Sequence, residues 1–448
     1  MKGLTRELAE FVSNPNFGTI PPRAVEIVQS GFIDTISTMI AGRNEPVVGI
    51  IRKFLENRGD SLKESSILGS SIKRSSVDAA LINGTAAHAL DFDDVSLGGH
   101  PSTVLVPAAM AEGEALNRSG EDVFIAYLVG YEVWADLFER ETDQYHIKGW
   151  HPTAVRGTIA AAATSAYLHR LNPDQCQQAL ALAASFSSGL VANFGTMTKP
   201  LHAGRAAACG LEAVRLACAG LTASPDAIEH HSGFLSAFSP NGNVDLSPGK
   251  QRLGDSLKIL TYGLSIKKYP TCYATHRVID AVLDLAKVNS IDVNDVKRIS
   301  AQIGTVQASM LRNHSPTTGL EAKFSLEFSI ASALHAGRVG LSELSDAFVS
   351  EPMIRKLMTQ VDIETVNGSC PIEPIFSMND RVSIHMTDGR KLDSGDVRFA
   401  RGNAMLPLAQ SDLKTKFIGC TEELGVGSEH LWNRLSNLRT LPKVSQIY

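Results

Sequence analysis

One short stretch of the sequence brings carboxylates and an imidazole together. A helical pattern over residues 76–90 is followed by three aspartates, a Gly-Gly pair and His100. The three aspartates are Asp91, Asp93 and Asp94. Acidic residues oppose the dipole at the C-terminal end of a helix, so stability alone does not explain them. We predict a loop that presents carboxylate and imidazole groups for acid and base chemistry. The alternative is a solvated acidic helix end.

A second candidate histidine stands at a predicted helix start. His151 precedes Pro152, and proline favours the first position of a helix. The positive end of a helix disfavours an imidazolium cation and so lowers the pKa of a nearby histidine. A neutral histidine beside a carboxylate substrate is a suitable acid or base. Tyr145 and His146 lie just upstream and are further candidates. The alternative for each of them is a purely structural role.

A cluster of basic residues begins another predicted helix. Lys199, His202 and Arg205 fall within seven residues of one another. Such a cluster suits a substrate that carries several carboxylates. The alternative is a solvated basic surface.

Two adjacent lysines, Lys267 and Lys268, form a second basic group. Repulsion between like charges lowers the pKa of one lysine of such a pair and prepares it to act as a base. Cys272 and His276 follow at the start of the next predicted helix. The alternative is that the lysines are exposed and that the nearby threonines only cap this helix.

Composition excludes several classes of function. A net charge of −5, with no basic stripe interleaved with aromatic residues, gives no reason to expect a nucleic acid or a membrane as partner. No apolar run reaches the roughly 18 residues of a membrane-spanning helix. Six scattered cysteines without a C-x-x-C pair argue against a zinc ribbon and fit reduced thiols in the cytoplasm, where we expect the protein.

No cofactor is predicted. The nucleotide-binding patterns G-x-G-x-x-G and G-x-x-x-x-G-K-[ST] are absent, and so are H-E-x-x-H and G-x-S-x-G. The acidic loop with His100 contains residue types that bind a divalent metal. Because nothing else completes a recognisable ligand set, we predict no metal.

Helical periodicity dominates the first part of the chain and its end. The predicted helices cover residues 22–41, 46–57, 76–90, 103–117, 121–140, 152–170, 173–191, 201–221 and 410–423. Between them, residues 298–304 and 381–387 alternate with the period of strands, and helices are predicted over 274–287, 324–336, 341–347 and 353–358. We therefore predict a mostly α fold. A large all-α helical-bundle domain (1–266, completed by the C-terminal helices of 400–448) carries a smaller α+β domain (267–399).

Taken together in this order, the motifs resemble those of the MmgE/PrpD family. They are His88 to Asp94, His100-Pro-Ser, Gly-Trp-His151-Pro-Thr, Thr-Lys199-Pro-Leu-His202, Lys267 to His276 and Lys323 to Phe328. The resemblance implies an active site between the two domains, a homodimer, chemistry without a metal or organic cofactor, and a small substrate with two or three carboxylates. It also implies that five residues are active-site residues, namely Asp93, His100, His151, Lys199 and Lys267.

The residues of these motifs look most similar to those of the iminodisuccinate epimerase branch of the family. Cys272 and Phe328 stand where cis-aconitate decarboxylase is expected to have a histidine and a tyrosine. We therefore expect a cofactor-independent epimerase that inverts a carbon next to a carboxylate by two-base proton transfer. The alternative is a hydro-lyase of the 2-methylcitrate dehydratase type. A decarboxylase-like lyase and a non-catalytic polycarboxylate binder are less favoured.

This function divides the candidate residues into three groups. The proton-transfer candidates are Lys267, Tyr145, His100 and His151. Asp93 is expected to orient a histidine. The expected substrate-binding residues are Lys199, His202, Lys268, Cys272 and His276.

Overall fold

The computed structural model describes residues 3–59, 62–141, 143–249 and 253–447. Helices dominate up to residue 262. They are α1 (Leu4–Ser13), α2 (Pro22–Gly42), α3 (Pro46–Glu56), α4 (Ser76–Ala89), α5 (Ser102–Ala115), α6 (Gly120–Glu139), α7 (Pro152–Leu168), α8 (Pro173–Phe186), α9 (Thr198–Cys218), α10 (Phe234–Phe238) and α11 (Lys258–Tyr262). Two short strands, β1 (Ser65–Ser66) and β2 (Lys73–Arg74), pair antiparallel before α4.

The middle of the chain mixes helices and strands. Its elements are α12 (His276–Val288), β3 (Val296–Gly304), α13 (Thr305–Met310), α14 (Gly319–Ala322), α15 (Leu326–Ala336), α16 (Asp346–Val349), α17 (Pro352–Met358), β4 (Val361–Val366), β5 (Arg381–Met386) and β6 (Lys391–Asp393). The chain ends with α18 (Gln410–Thr421) and α19 (Gly427–Ser436). The predicted mostly α fold with a smaller α+β part is confirmed.

The chain divides into two compact units. Unit 1 comprises Met1–Ile266 and Ala409–Tyr448, and unit 2 comprises Lys267–Leu408. Unit 1 is therefore built from two separate stretches of sequence. The second stretch rejoins the first through α18, which packs against α2.

Unit 2 is built on a four-stranded sheet in the order β4-β3-β5-β6. β3 pairs parallel with β4 and antiparallel with β5. Ile299, Ala301 and Ile303 of β3 are all buried, as the period of two along a strand requires. α12 packs against β5, and α15 packs against α12, so these helices and the sheet enclose the core of this unit.

Two predicted helices differ from the observed ones. The helix predicted over 173–191 ends at Phe186, because Ser187 is extended and Gly189 has a φ of +138°. The single helix predicted over 341–347 is wrong. Ser342–Leu344 form a 3₁₀ turn, and α16 starts only after Ser345, whose hydroxyl caps it. In both regions, serine and glycine offer hydrogen bonds or backbone freedom that compete with the helix.

Close helix packing organises unit 1. α4 and α9 cross where glycines face each other, and a Cβ placed on Gly84 would lie 2.8 Å from the Cα of Gly204. The C-terminal end of α4 therefore lies beside the N-terminal end of α9. These two helix ends carry the acidic loop and the first basic cluster.

Two further observations bear on the environment of the chain. The six cysteines, all within the described ranges, are free thiols, in keeping with their scattered spacing. No helix in the part of the chain that the structure describes is long and apolar enough to cross a membrane.

Gly204→Ala is expected to destabilise the fold because the new methyl group would collide with the backbone of α4 at Leu81 and Thr85. Overpacking of this kind typically costs about 1–3 kcal/mol. Gly419 is the matched control, since it lies exposed within α18 with nothing within 4 Å of its added Cβ. Gly419→Ala should stabilise slightly, by about 0.5–1 kcal/mol. Urea denaturation of both variants checks this, and equal midpoints would contradict the close crossing.

Candidate active site

The loop after α4 is a tight turn with its own hydrogen bonds. Ser96 and Gly99 exchange two backbone hydrogen bonds of 3.0 and 2.9 Å. Val95 exchanges two more with Ser265, of 2.8 and 2.9 Å. Asp91 adopts a left-handed backbone conformation with a φ of +53°, which is uncommon for a residue with a side chain. Backbone conformations of this kind concentrate at functional sites, where the surrounding structure holds them in place.

Asp93 lies between two histidines. Its carboxylate is 2.8 Å from Nδ1 of His88 and 2.9 Å from Nδ1 of His100. Asp93 and Asp94 are fully buried, so the alternative of a solvated acidic helix end is wrong. Nδ1 of His100 also lies 2.8 Å from the backbone oxygen of Asp94. Carboxylate and carbonyl oxygens only accept hydrogen bonds, so both Nδ1 atoms donate. In the neutral rings, each Nε2 is then the unprotonated, basic nitrogen.

Burial and charge set the protonation of this cluster. Burial lowers the pKa of His88 to about 4, and it outweighs the attraction to Asp93. Burial also acts to raise the pKa of Asp93, but the imidazoles of His88 and His100 hold that pKa well below its usual range. At neutral pH, therefore, Asp93 is ionised and His88 is neutral.

A second pair of imidazoles lies beside the first. Nδ1 of His151 is 3.1 Å from Nδ1 of His202, so one of these two nitrogens carries the shared proton. The rings of His151 and His88 are stacked, with centroids 6.2 Å apart. Thr153, also at the start of α7, accepts a hydrogen bond from the backbone of His100 at 3.2 Å. The start of α7 thus joins the two imidazole pairs into one cluster.

His151 is neutral, as predicted, chiefly because it is buried. It is the residue immediately before α7, where the helix dipole disfavours a cation. Burial is the larger cause, and together with the charge of Lys199 it keeps the pKa of His151 well below its usual value. Burial likewise lowers the pKa of His202. Both imidazoles are available as neutral donors and acceptors.

Lys199 is paired with the acidic loop rather than solvated. Its ammonium nitrogen lies 2.6 Å from Oδ1 of Asp91, and only 9% of the residue is exposed. His202 is equally buried, whereas Arg205 of the same cluster is exposed. The solvated alternative is therefore wrong for the lysine and the histidine and holds for the arginine. Lys199 brings a cation to the cluster next to the neutral imidazoles.

Tyr145 and His146 have different environments. Tyr145 is buried in the hydrophobic core of unit 1, and the guanidinium of Arg156 lies 3.9 Å from the centre of its ring. Its contacts are thus with the core and Arg156. His146 is half-buried, with its ring 6.1 Å from that of Phe194, which also lies 4.8 Å from His151. Burial, Arg156 and His100 lower the pKa of His146 to about 4.

The four remaining candidates belong to unit 2. Lys267 is buried, Lys268 and Cys272 are half-buried, and His276 is buried between the rings of Tyr269 and Tyr273. Nε2 of His276 lies 3.3 Å from the backbone oxygen of Thr271. The backbone N–H of Cys272 donates to the oxygen of Lys323 at 2.8 Å. The roles of these residues, and a site between the domains, stay predictions.

The His–Asp cluster also contains residue types that bind metals. Ligand atoms of His88, Asp91, Asp93 and His100 lie within 4.8 Å of one another. Two ligands of a tetrahedral ion such as zinc stand roughly 3.3 Å apart, given bonds of about 2.0 Å. The separations of 2.8 and 2.9 Å between Asp93 and its two imidazoles are shorter and match hydrogen bonds. The distances within the cluster are those of hydrogen bonds and ion pairs.

His88 has no role in the sequence predictions, yet it is central to the cluster. It lies in the last turn of α4, five residues before Asp93. A residue in the last turn of a helix is close to the loop that follows, so this spacing is a signal that points to it. The pairing of Asp91 with Lys199 gave no local signal, because 108 residues separate them.

Comparison with known proteins identifies the family. The MmgE/PrpD N-terminal domain matches residues 6–247, and the MmgE/PrpD C-terminal domain matches residues 269–435. The chain belongs to the MmgE/PrpD family. The resemblance noted in its motifs is therefore confirmed at the level of the family. The homodimer and the cytoplasmic location expected from the sequence stay predictions.

Three proteins similar in sequence to this chain carry the same name. Cis-aconitate decarboxylase of Homo sapiens is 28% identical over 430 residues, which cover 93% of this chain and 87% of that protein. The protein of that name from Mus musculus is 31% identical over 352 residues, which cover 76% of this chain and 70% of the mouse protein. The protein of that name from Aspergillus terreus is 26% identical over 369 residues, which cover 77% of this chain and 74% of the fungal protein. These names are those of decarboxylases, and the likeness to an epimerase is not shown.

Asp93→Asn is expected to lower kcat by roughly 10²- to 10⁴-fold, as when the carboxylate that orients a catalytic histidine is replaced by an amide. The amide replaces one accepting oxygen with an NH₂ donor and removes the negative charge, so the tautomers of the two imidazoles are no longer fixed. Asp174→Asn is the control, because that side chain is 86% exposed. The two variants are compared by steady-state kinetics on the substrate that the proton NMR experiment under Proposed function identifies. Equal kcat values would show that the His88–Asp93–His100 cluster does not serve the reaction.

The buried histidines are expected to lower the free energy of unfolding as the pH drops from 6.5 toward 4, while buried carboxylates with a raised pKa, such as Glu132 at about 8, act in the opposite direction. In this window the unfolded chain binds protons at its histidines, with a pKa near 6.5, while the folded chain keeps His88 and His146 neutral down to about 4. His88 alone accounts for roughly 3 kcal/mol. Chemical denaturation at several pH values measures this. His146→Gln should lose less stability than the wild type over this window, and the exposed-site variant His430→Gln should follow the wild type. Identical pH profiles for the wild type and His146→Gln would contradict the assignment.

Proposed function

We propose that this chain is a lyase that acts on a small polycarboxylic acid by moving a proton at the carbon next to a carboxylate. The observation that carries the proposal is the His88–Asp93–His100 cluster, in which a buried carboxylate orients two imidazoles with their Nε2 atoms basic. A C–H bond beside a carboxylate is weakly acidic, and a positioned neutral imidazole is a suitable base for it.

His100 is the proposed proton-transfer residue of the two. Its side chain is 13% exposed, whereas the side chain of His88 has no exposed surface. A base must come within hydrogen-bond distance of the proton that it removes, so the partly exposed ring is the better placed one. His88 then acts through Asp93, as the second donor that keeps this carboxylate ionised and fixed.

Lys199 and the His151–His202 pair are the proposed carboxylate-binding groups. An ammonium group has three donors, and Asp91 engages Lys199 at 2.6 Å on one side only. Neutral imidazoles add N–H donors without adding charge. A nearby cation also stabilises the negative charge that develops when the carbon loses its proton or CO₂.

Two lyase outcomes use the same residues. In a hydro-lyase, the base takes the proton from carbon, the C–O bond at the neighbouring carbon breaks, and the hydroxide accepts a proton and leaves as water. In a decarboxylase, the C–C bond to a carboxylate breaks, CO₂ leaves, and the carbon accepts a proton from an acid such as the Lys199 ammonium. The name of the relatives favours the second outcome, whereas Cys272 and Phe328 count against it.

An epimerase remains the second candidate, supported by a specific observation. Inversion needs two proton-transfer groups, and the site holds two distinct imidazole pairs, one around Asp93 and one formed by His151 and His202. The relatives described above are not named as epimerases, so this function ranks below a lyase.

Proton NMR in deuterated water distinguishes these outcomes. The protein is given cis-aconitate, 2-methylcitrate or one stereoisomer of iminodisuccinate, each separately. Loss of CO₂ or growth of an alkene signal is the expected result and identifies the lyase. Inversion with neither product would replace the lyase with the epimerase, and binding without any deuterium exchange would leave a non-catalytic binder.

His100→Gln tests the assignment of the base. It should lower kcat/KM by roughly 10²- to 10⁴-fold, the usual contribution of a general base, while calorimetry still detects substrate binding. His430→Gln, at an exposed histidine of α19, is the control. Undiminished turnover in His100→Gln would overturn the role of this residue.

A further inference from the structure

A lysine from the C-terminal stretch reaches the backbone of the acidic loop. Lys416 lies in α18, and its ammonium nitrogen donates to the backbone oxygen of Phe92 at 2.6 Å. The same nitrogen lies 3.9 Å from the centre of the Phe92 ring. It also forms an ion pair with Oδ1 of Asp34 in α2, at 2.5 Å. The side chains of Lys416 and Asp34 are 4% and 0% exposed, so the arrangement is buried in unit 1.

The position of this contact in the loop is what matters. Phe92 stands between Asp91, which pairs with Lys199, and Asp93, which binds the two imidazoles. Its carbonyl belongs to the peptide group that leads into Asp93. Asp91, just before it, has the left-handed φ of +53°. Fixing this carbonyl therefore fixes the peptide on which the directions of both carboxylates depend.

Stability alone is a poor explanation for a buried lysine. Removing an ammonium and a carboxylate from water costs several kcal/mol, and well-packed apolar residues of similar size are often as stable. A methionine has a similar length but no charge. The apolar residue lacks a donor for the Phe92 carbonyl and a cation for its ring.

We propose that Lys416 is a positioning residue for the active site, which orients Asp91 and Asp93 through the carbonyl of Phe92. The C-terminal stretch then completes the site although it supplies no group that touches substrate. The effect on turnover rests on the function proposed above, whereas the effect on the imidazoles does not.

The kinetic test uses two variants and a control on the same helix. Lys416→Met keeps the approximate length but removes both the donor to the Phe92 carbonyl and the cation over the ring. The double variant Lys416→Met/Asp34→Asn also replaces the carboxylate with which Lys416 forms its ion pair. Lys414→Met is the control, because Lys414 is 41% exposed and pairs with Glu429 at the surface.

We expect the double variant to melt within a few degrees of the wild type and yet to lose at least tenfold in kcat with KM changed less than twofold. Recovery of kcat in the double variant would reduce Lys416 to the counter-ion of Asp34 and overturn the proposal.

Histidine-selective ¹⁵N NMR tests the same idea without a substrate. The nitrogen shifts of His88 and His100 report which ring nitrogen carries the proton and how strongly it is hydrogen-bonded. They should move in both Lys416 variants and stay unchanged in Lys414→Met. Unchanged shifts in the Lys416 variants would overturn the proposal even if no turnover is found. If the shifts change but the wild-type protein shows no turnover, the positioning role of Lys416 stands and only the proposed reaction is rejected.

Discussion

The site depends on one buried carboxylate. Asp93 is removed from water, which by itself favours its protonated form. The two imidazole N–H groups reverse that preference, and in doing so they fix the tautomers of both rings. The interaction is reciprocal for His88, whose Nδ1 donates to the Asp93 carboxylate, whereas Nδ1 of His100 also lies 2.8 Å from the backbone oxygen of Asp94. Basic nitrogens in defined positions follow from this single arrangement.

The helical packing of unit 1 brings the second half of the site to this carboxylate. Glycines at the crossing of α4 and α9 let the two helix backbones approach closely, so the end of one helix meets the start of the other. Lys199 and His202, in the first turns of α9, are then beside the loop that follows α4. Ala-rich helix faces, which a composition count records only as apolar, are what permit this proximity.

Local patterns in the sequence predicted the fold class and the chemistry of single segments. Helical periodicity located α4 and α7, and alternation located β3 and β5. The helix overrun past Phe186 and the wrong helix at 341–347 occurred where serine and glycine compete with helical hydrogen bonds. Contacts between distant segments gave no such signal. Lys416 and Phe92 are 324 residues apart, and nothing near either residue indicates the other.

The three aspartates of the loop show why residue type alone does not determine function. Asp91 pairs with the Lys199 ammonium, and Asp93 is held ionised between two imidazoles. Asp94, next in sequence, is buried with the hydroxyl of Ser102 at 3.0 Å. Burial and the neighbouring charge of Asp93 raise the pKa of Asp94 well above its usual range. Like charges so close together disfavour one another's ionised form away from water. One carboxylate is therefore paired with a lysine, one lies between two imidazoles and one has a raised pKa, and only the second arrangement orients imidazole rings.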